Sequence, residues 1–142
     1  MPGEDCVLEM EVDPQGILIV RISGEFNFDA WLAQRRQLFR GDLAELDLDG
    51  RANLVDLSSL VPPQEDWFAT VNRVVQELRT MGQPTGPVAY VVGAAEANTL
   101  TVKFFESVSE LGGFKPGNFR TFTGYREAYD WLQMQMQNAT GA

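Results

Sequence analysis

Hydroxyls and carboxylates are the groups in this chain whose spacing suggests chemistry, because histidine is absent and cysteine occurs once. The segment NLVDLSSLVPPQEDWFATV, from Asn53 to Val71, holds several of them. Asp56, Ser58 and Ser59 end a short apolar run, and Glu65 and Asp66 follow two prolines at the mouth of a helical pattern. A loop placed after a buried strand often carries function. This one has three candidate tasks: a catalytic group, a phosphorylation switch, or a surface for a partner.

Composition narrows the chemistry. Zinc sites built from Cys and His, and Ser-His-Asp or Cys-His nucleophiles, are excluded. Paired carboxylates remain as a route to hydrolysis. Asp42, Glu45, Asp47 and Asp49 lie in one acidic stretch that could hold calcium or magnesium, but EF-hand spacing and its terminal glutamate are missing. A general acid also needs an apolar setting to raise its pKa, and the neighbours supply none. The stretch therefore reads as a solvated acidic loop. Asp56, at a strand end, is expected to hydrogen-bond loop amides rather than to catalyse. Gly93-Ala94-Ala95-Glu96 leads from a strand into a helix N-terminus, where a phosphate could sit, yet it lacks both phosphate-binding glycine fingerprints and Glu96 would repel the ligand. No catalytic group, metal or cofactor is expected.

The elements that must position these groups follow from length and periodicity. At 142 residues the chain fits one domain, 1–142, with a core of about 7–136 and frayed ends. Hydrophobic residues make up 44% and charged residues 22%, as in ordinary globular proteins. The formal net charge of −9 disfavours nucleic acid and anionic membrane as partners. Arg35, Arg36 and Arg40 read as a solvated helix face. No run reaches the ~20 apolar residues of a membrane span, and the N-terminus lacks a signal-peptide pattern, so the expected location is cytoplasmic.

Val7 to Asp13 alternates apolar and acidic residues, Pro14-Gln15-Gly16 makes a turn, and Ile17 to Ile22 is a β-branched run, which together spell a hairpin. Phe28, Trp31, Leu32 and Phe39 share a helical face, with Asn27 as N-cap and Gly41 as the stop. Ala52 to Leu57 is a buried strand. A second helix runs from about Gln64 to Met81 on the stripe Trp67, Val71, Val74, Val75 and Leu78. Pro87 to Gly93 is a buried strand, and a third helix spans roughly Glu96 to Leu111. Phe119 to Phe122 forms the last strand before a helix marked by Tyr125, Ala128, Tyr129, Leu132 and Met136. The order ββαβαβαβα predicts an α/β fold, a mostly parallel mixed sheet with an antiparallel N-terminal hairpin. The tryptophans, Tyr125 and Tyr129 are expected to pack in the core.

The strand ending Val55-Asp56-Leu57-Ser58, the long helix after it, the strand Val88-Ala89-Tyr90-Val91-Val92-Gly93 and the terminal Tyr125-Arg126-Glu127-Ala128-Tyr129-Asp130-Trp131-Leu132 resemble the STAS family. Within it the chain is most similar to the SpoIIAA-like (STAS/SEC14-type) branch, over about Leu8 to Met134. The resemblance implies a non-catalytic regulatory module akin to anti-sigma factor antagonists, whose partner is a regulatory kinase or an anti-sigma factor. Its alternative is a SEC14-like carrier or sensor holding a small apolar ligand between a helix and the sheet. Kinase-regulated antagonists carry a serine at the start of the helix after this strand. Here the matching turn is Pro62-Pro63-Gln64-Glu65-Asp66-Trp67, without a hydroxyl. Ser58 and Ser59 fall a loop's length too early, and Glu65 and Asp66 suit the positive end of a helix dipole.

The candidate partner or ligand surface is thus Ser58, Ser59, Glu65, Asp66, Phe68 and Phe105. Phe68 and Val75 flank the stripe of the second helix and Phe105 that of the third, so a homodimer through an apolar helix face is a further expectation; each such side chain buried contributes ~1.5–3 kcal/mol. Incubation with a cognate STAS-type kinase and peptide mass spectrometry should find no phosphate between Val61 and Trp67. Phosphate on Ser58 or Ser59 that abolishes partner binding would overturn that expectation.

Overall fold

The computed structural model describes residues 6–61, 67–81, 86–92 and 119–140. Its first strand, β1 (Val7–Val12), pairs antiparallel with β2 (Leu18–Glu25), Leu8 facing Ile22 and Val12 facing Leu18. Asp13 sets the turn between them. Its Oδ1 accepts the N–H groups of Gln15 and Ile17 at 3.0 and 2.9 Å. Gly16 follows at φ 84°, a region that strains residues bearing a Cβ.

Helix α1 (Phe28–Arg40) starts where Asn27 Oδ1 accepts the Ala30 N–H, and stops where the Gly41 N–H donates to the carbonyls of Gln37 and Leu38. Such an N-cap stabilises by about 1 kcal/mol. Gln34 ties this helix to β1: its Oε1 accepts the Leu8 N–H at 2.9 Å and its Nε2 donates to the Cys6 carbonyl at 2.8 Å. The chain continues through β3 (Asn53–Asp56), β4 (Leu60–Val61), α2 (Trp67–Met81), β5 (Val88–Val91), β6 (Phe119–Phe122) and α3 (Tyr125–Thr140).

The strand order is β1-β2-β3-β5-β6, with β4 pairing the far end of β2. From β2 onward the paired strands are parallel. Two apolar layers hold the sheet. On one face Leu18, Val20, Ile22, Val55, Val88 and Tyr90 pack with Trp31 of α1 and with Val74 and Val75 of α2. On the other, Ile17, Ile19, Leu54, Ala89 and Val91 meet Ala128 and Leu132 of α3. All residues of β5 are buried, as a strand between two helical layers must be. Full burial of a side chain such as Leu54 or Leu132 stabilises by ~1.5–3 kcal/mol.

The mixed sheet with its antiparallel hairpin is the architecture expected from the periodicity, with four corrections. The stretch after Ser59 is not all loop, because Leu60 and Val61 add β4 against Gly24 and Glu25. Residues 42–51 are irregular as expected, but Leu43 is buried and Leu46 and Leu48 pack on the core. Arg35 is not solvated: it is 3% exposed, its guanidinium 4.8 Å from the Phe39 ring centre and 5.9 Å from that of Trp31. Burial lowers its pKa to about 10, with the Glu77 carboxylate opposing. Val75 is buried in the core and offers nothing to a helix-face dimer. The expected helix 96–111, with Phe105, lies outside the described residues, as do the side chains of Trp67, Phe68 and Val71.

Gly86 closes against the turn before β3, its N–H donating to the Arg51 carbonyl. A Cβ there would lie 2.5 Å from the Gly50 carbonyl oxygen and 2.6 Å from that of Arg51. Gly86→Ala should therefore cost about 1–3 kcal/mol, seen as a lower urea midpoint at unchanged slope. A wild-type midpoint would show that the backbone at 50–51 yields freely.

Candidate functional site

The carboxyl ends of β3 and β5 define the side of the sheet where the chain displays polar groups. Leu57 donates its N–H to the Val91 carbonyl at 2.7 Å, and the Leu60 N–H returns to the Leu57 carbonyl at 3.1 Å, closing a turn. Both leucines are buried, while Ser58 and Ser59 between them are exposed. Two apolar anchors thus push two hydroxyl residues into water. The turn is locked onto β2 by the Gly24 N–H, which donates to the Ser59 carbonyl at 3.1 Å. Gly24 has φ 81°.

Asp56 organises the turn from within. Its Oδ1 accepts both the Ser58 N–H at 3.0 Å and the Ser58 hydroxyl at 2.7 Å. Its Oδ2 lies 3.4 Å from Arg21 Nε, an ion pair whose arginine is half exposed. Exposed pairs of this kind contribute roughly 0–1 kcal/mol. The expected bond from Asp56 to a loop amide is present. The same carboxylate oxygen holds the Ser58 hydroxyl, so Asp56 ties down both backbone and side chain at this position. Chemically this is a serine hydroxyl held by a carboxylate, and among the described residues no second base bonds that hydroxyl.

A pair of tyrosines, which sequence reasoning assigned to the core, runs along α3 from the field of Asp56 to the hairpin turn. Tyr125 is 40% exposed rather than buried. It stacks on Tyr129 with ring centres 6.4 Å apart and planes at 18°. The Tyr129 hydroxyl donates to Asp13 Oδ2, joining α3 to the hairpin turn. Burial raises the Tyr125 pKa; Arg21 opposes, and the carboxylates of Asp13, Asp56 and Glu11 add to the rise. The signal available in sequence was position: Tyr125 opens its helix, where periodicity gives a face but not the edge of the sheet beneath it.

Of the other sequence candidates, Glu65 and Asp66 lie outside the described residues, together with Phe105 and the side chain of Phe68. In the acidic loop, Asp47 Oδ1 accepts the Asp49 N–H at 3.0 Å, and the Asp47 carbonyl accepts Arg51 Nε–H at 2.6 Å. Cys6 is buried, and burial pushes its thiol pKa up against the lowering effect of a backbone bond from Asn27. No described helix is long and apolar enough to cross a membrane.

No family model matches the chain, and no curated protein matches it. A solved structure does: an uncharacterized protein of the DUF3478 family from Shewanella loihica PV-4, described as having a SpoIIAA-like fold. The likeness has a TM-score of 0.57 at 17% identity, covering 89% of this chain and 93% of that one. The fold is SpoIIAA-like. Identity at that level carries the fold and leaves the task to be argued from the residues. The helix start, where the SpoIIAA-like resemblance would place a serine, falls in residues 62–66, outside the described part.

The hydrogen bond to Asp13, followed by burial and by the charges of Asp13 and Tyr125, raises the Tyr129 pKa from its ordinary 10.0 to about 12. The folded state therefore holds this proton more tightly than the unfolded chain. The resulting stability is complete below the ordinary value and is lost as pH rises through the folded one. NMR titration of the tyrosine ring carbons should find Tyr129 ionising near pH 12, and Asp13→Asn should bring it back toward 10. An unmoved Tyr129 midpoint in that variant would remove Asp13 as the cause.

Proposed function

We propose that this chain is a non-catalytic regulatory module that works by binding a protein partner, as anti-sigma factor antagonists do, but without a phosphorylatable serine at the start of the second helix. The observation that carries the reading is the turn from Leu57 to Leu60. Two buried leucines fix it, and two exposed serines form its tip. Asp56 engages its acceptors within the chain, on Ser58 and Arg21. A carboxylate used in this way rigidifies a surface, and preorganised turns bind with less loss of conformational entropy. The SpoIIAA-like fold supports the same reading.

The test is quantitative affinity capture of the tagged chain from its native host, comparing wild type with Ser58→Arg/Ser59→Arg. Both positions are exposed, so the fold should survive, and a stoichiometric partner should drop about tenfold, equivalent to ~1.4 kcal/mol. A partner set untouched by the variant would remove the turn as the binding surface. A hydrolytic turnover abolished by Asp56→Asn would replace the module with an enzyme.

A further inference from the structure

One half of a sheet face carries no described helix. α3 packs on β3, β5 and β6, leaving β1 and the neighbouring part of β2 beyond its flank. Ile19 belongs to the layer under α3, and residues paired across antiparallel strands share a face. The register therefore puts Val7, Glu9 and Glu11 on this side, opposite Ser23, Arg21 and Ile19. Glu9, Glu11 and Arg21 are exposed, and Val7 is 40% exposed.

The wall of this half-face is aromatic. Tyr125 and Tyr129 stack along the flank of α3 that looks toward the hairpin, Tyr129 bonding Asp13 and Tyr125 lying within the field of Arg21 and its acidic neighbours. Along the same flank runs an open groove of ≈ 470 Å³, lined by Tyr125, Arg126, Tyr129, Asp130 and Gln133. Glu9 faces Arg21 across the strands, Asp56 already engages the Arg21 guanidinium, and the charges of Asp13, Asp56 and Glu11 act together with Arg21 on Tyr125. The balance is negative, and an electron-rich ring face stands beside it. That combination selects a cation that brings apolar surface with it.

The width selects the shape. Two strands span about 10 Å, which matches the 10–12 Å diameter of a helix with its side chains. A second copy of this chain, at net charge −9, would bring like charge, and so would nucleic acid or anionic lipid.

We propose that this half-face docks a cationic amphipathic helix of a protein partner, lying beside α3 across β1 and β2, with Lys or Arg heads on Glu9, Glu11 and the Tyr125 ring and an apolar side chain against Val7. The proposal rests on the reading of the chain as a binding module and uses a different surface from the serine turn.

The probe is a synthetic amphipathic Leu/Lys helix of about 14 residues, long enough to cover the ~20 Å of a six-residue strand, with a Leu/Glu twin as control. Titrated into the ¹⁵N-labelled chain, the Lys peptide should shift the amides of β1 and β2 and the rings of Tyr125 and Tyr129, less so as salt rises. Glu9→Lys/Glu11→Lys should weaken it at least about tenfold and gain binding of the Glu twin; the variant's spectrum reports whether it is folded. Equal shifts at Asp42 to Asp49 would reduce the effect to diffuse charge and overturn the proposal. So would failure to bind, or shifts centred on Ser58 and Ser59, the last leaving the module reading intact.

Discussion

β2 is the strand on which the rest of the sheet is registered. It pairs with β1 along one edge and with both β3 and β4 along the other. Within it, Leu18, Val20 and Ile22 face the layer under α1 and α2, while Ile19 faces α3. A slip of one residue would exchange the two faces and carry Arg21 beneath α1 and α2, where a charge has no water. Arg21 is tolerated because it emerges on the α3 side, next to Asp56 and past the helix's flank. The positive φ of Gly24 then lets the strand continue past the serine turn and meet β4. Register, turn and polar surface are thus set by one eight-residue segment.

Much of this architecture was legible in the sequence because the strands are β-branched runs between turn residues and the helices carry stripes at helical spacing. What periodicity missed has physical reasons. A two-residue strand such as β4 has no period, and its identity comes from pairing with Gly24, far away in sequence. Arg35 was misassigned by its charge and its neighbours Arg36 and Arg40. Its spacing said otherwise: it stands four residues after Trp31 and four before Phe39, on the same stripe, and its guanidinium stacks on both rings. Charge type is a weaker guide to burial than position when flat aromatic rings are available to cover a guanidinium.

The site was legible in part. Asp56, Ser58 and Ser59 could be singled out because a strand end, a carboxylate and two hydroxyls coincide within a few residues. The tyrosine pair could not, since the bond from Tyr129 to Asp13 joins residues 116 apart in sequence. Helical spacing correctly grouped Tyr125 and Tyr129 with Ala128 and Leu132, and the last two are fully buried. Whether a residue on that stripe meets apolar sheet or water depends on how far the sheet extends, which is a property of the whole fold.

The bonds from Gln34 to Leu8 and Cys6 carry a consequence for the edge of the sheet. An edge strand presents unpaired amide groups that can template the addition of a foreign strand, the first step of fibril growth or chain exchange. A primary amide offers the same donor and acceptor as a peptide group, so Gln34 acts as one rung of an absent neighbour, supplied by a helix. A strand arriving at β1 cannot zip along its length while α1 is seated, and in an antiparallel ladder only alternate residues such as Met10 and Val12 turn their amides to that outer side. Polymerisation through this edge is therefore coupled to undocking of α1, which would also expose Trp31 from the core. The barrier to misassembly is the packing energy of a helix, held at the edge by one glutamine.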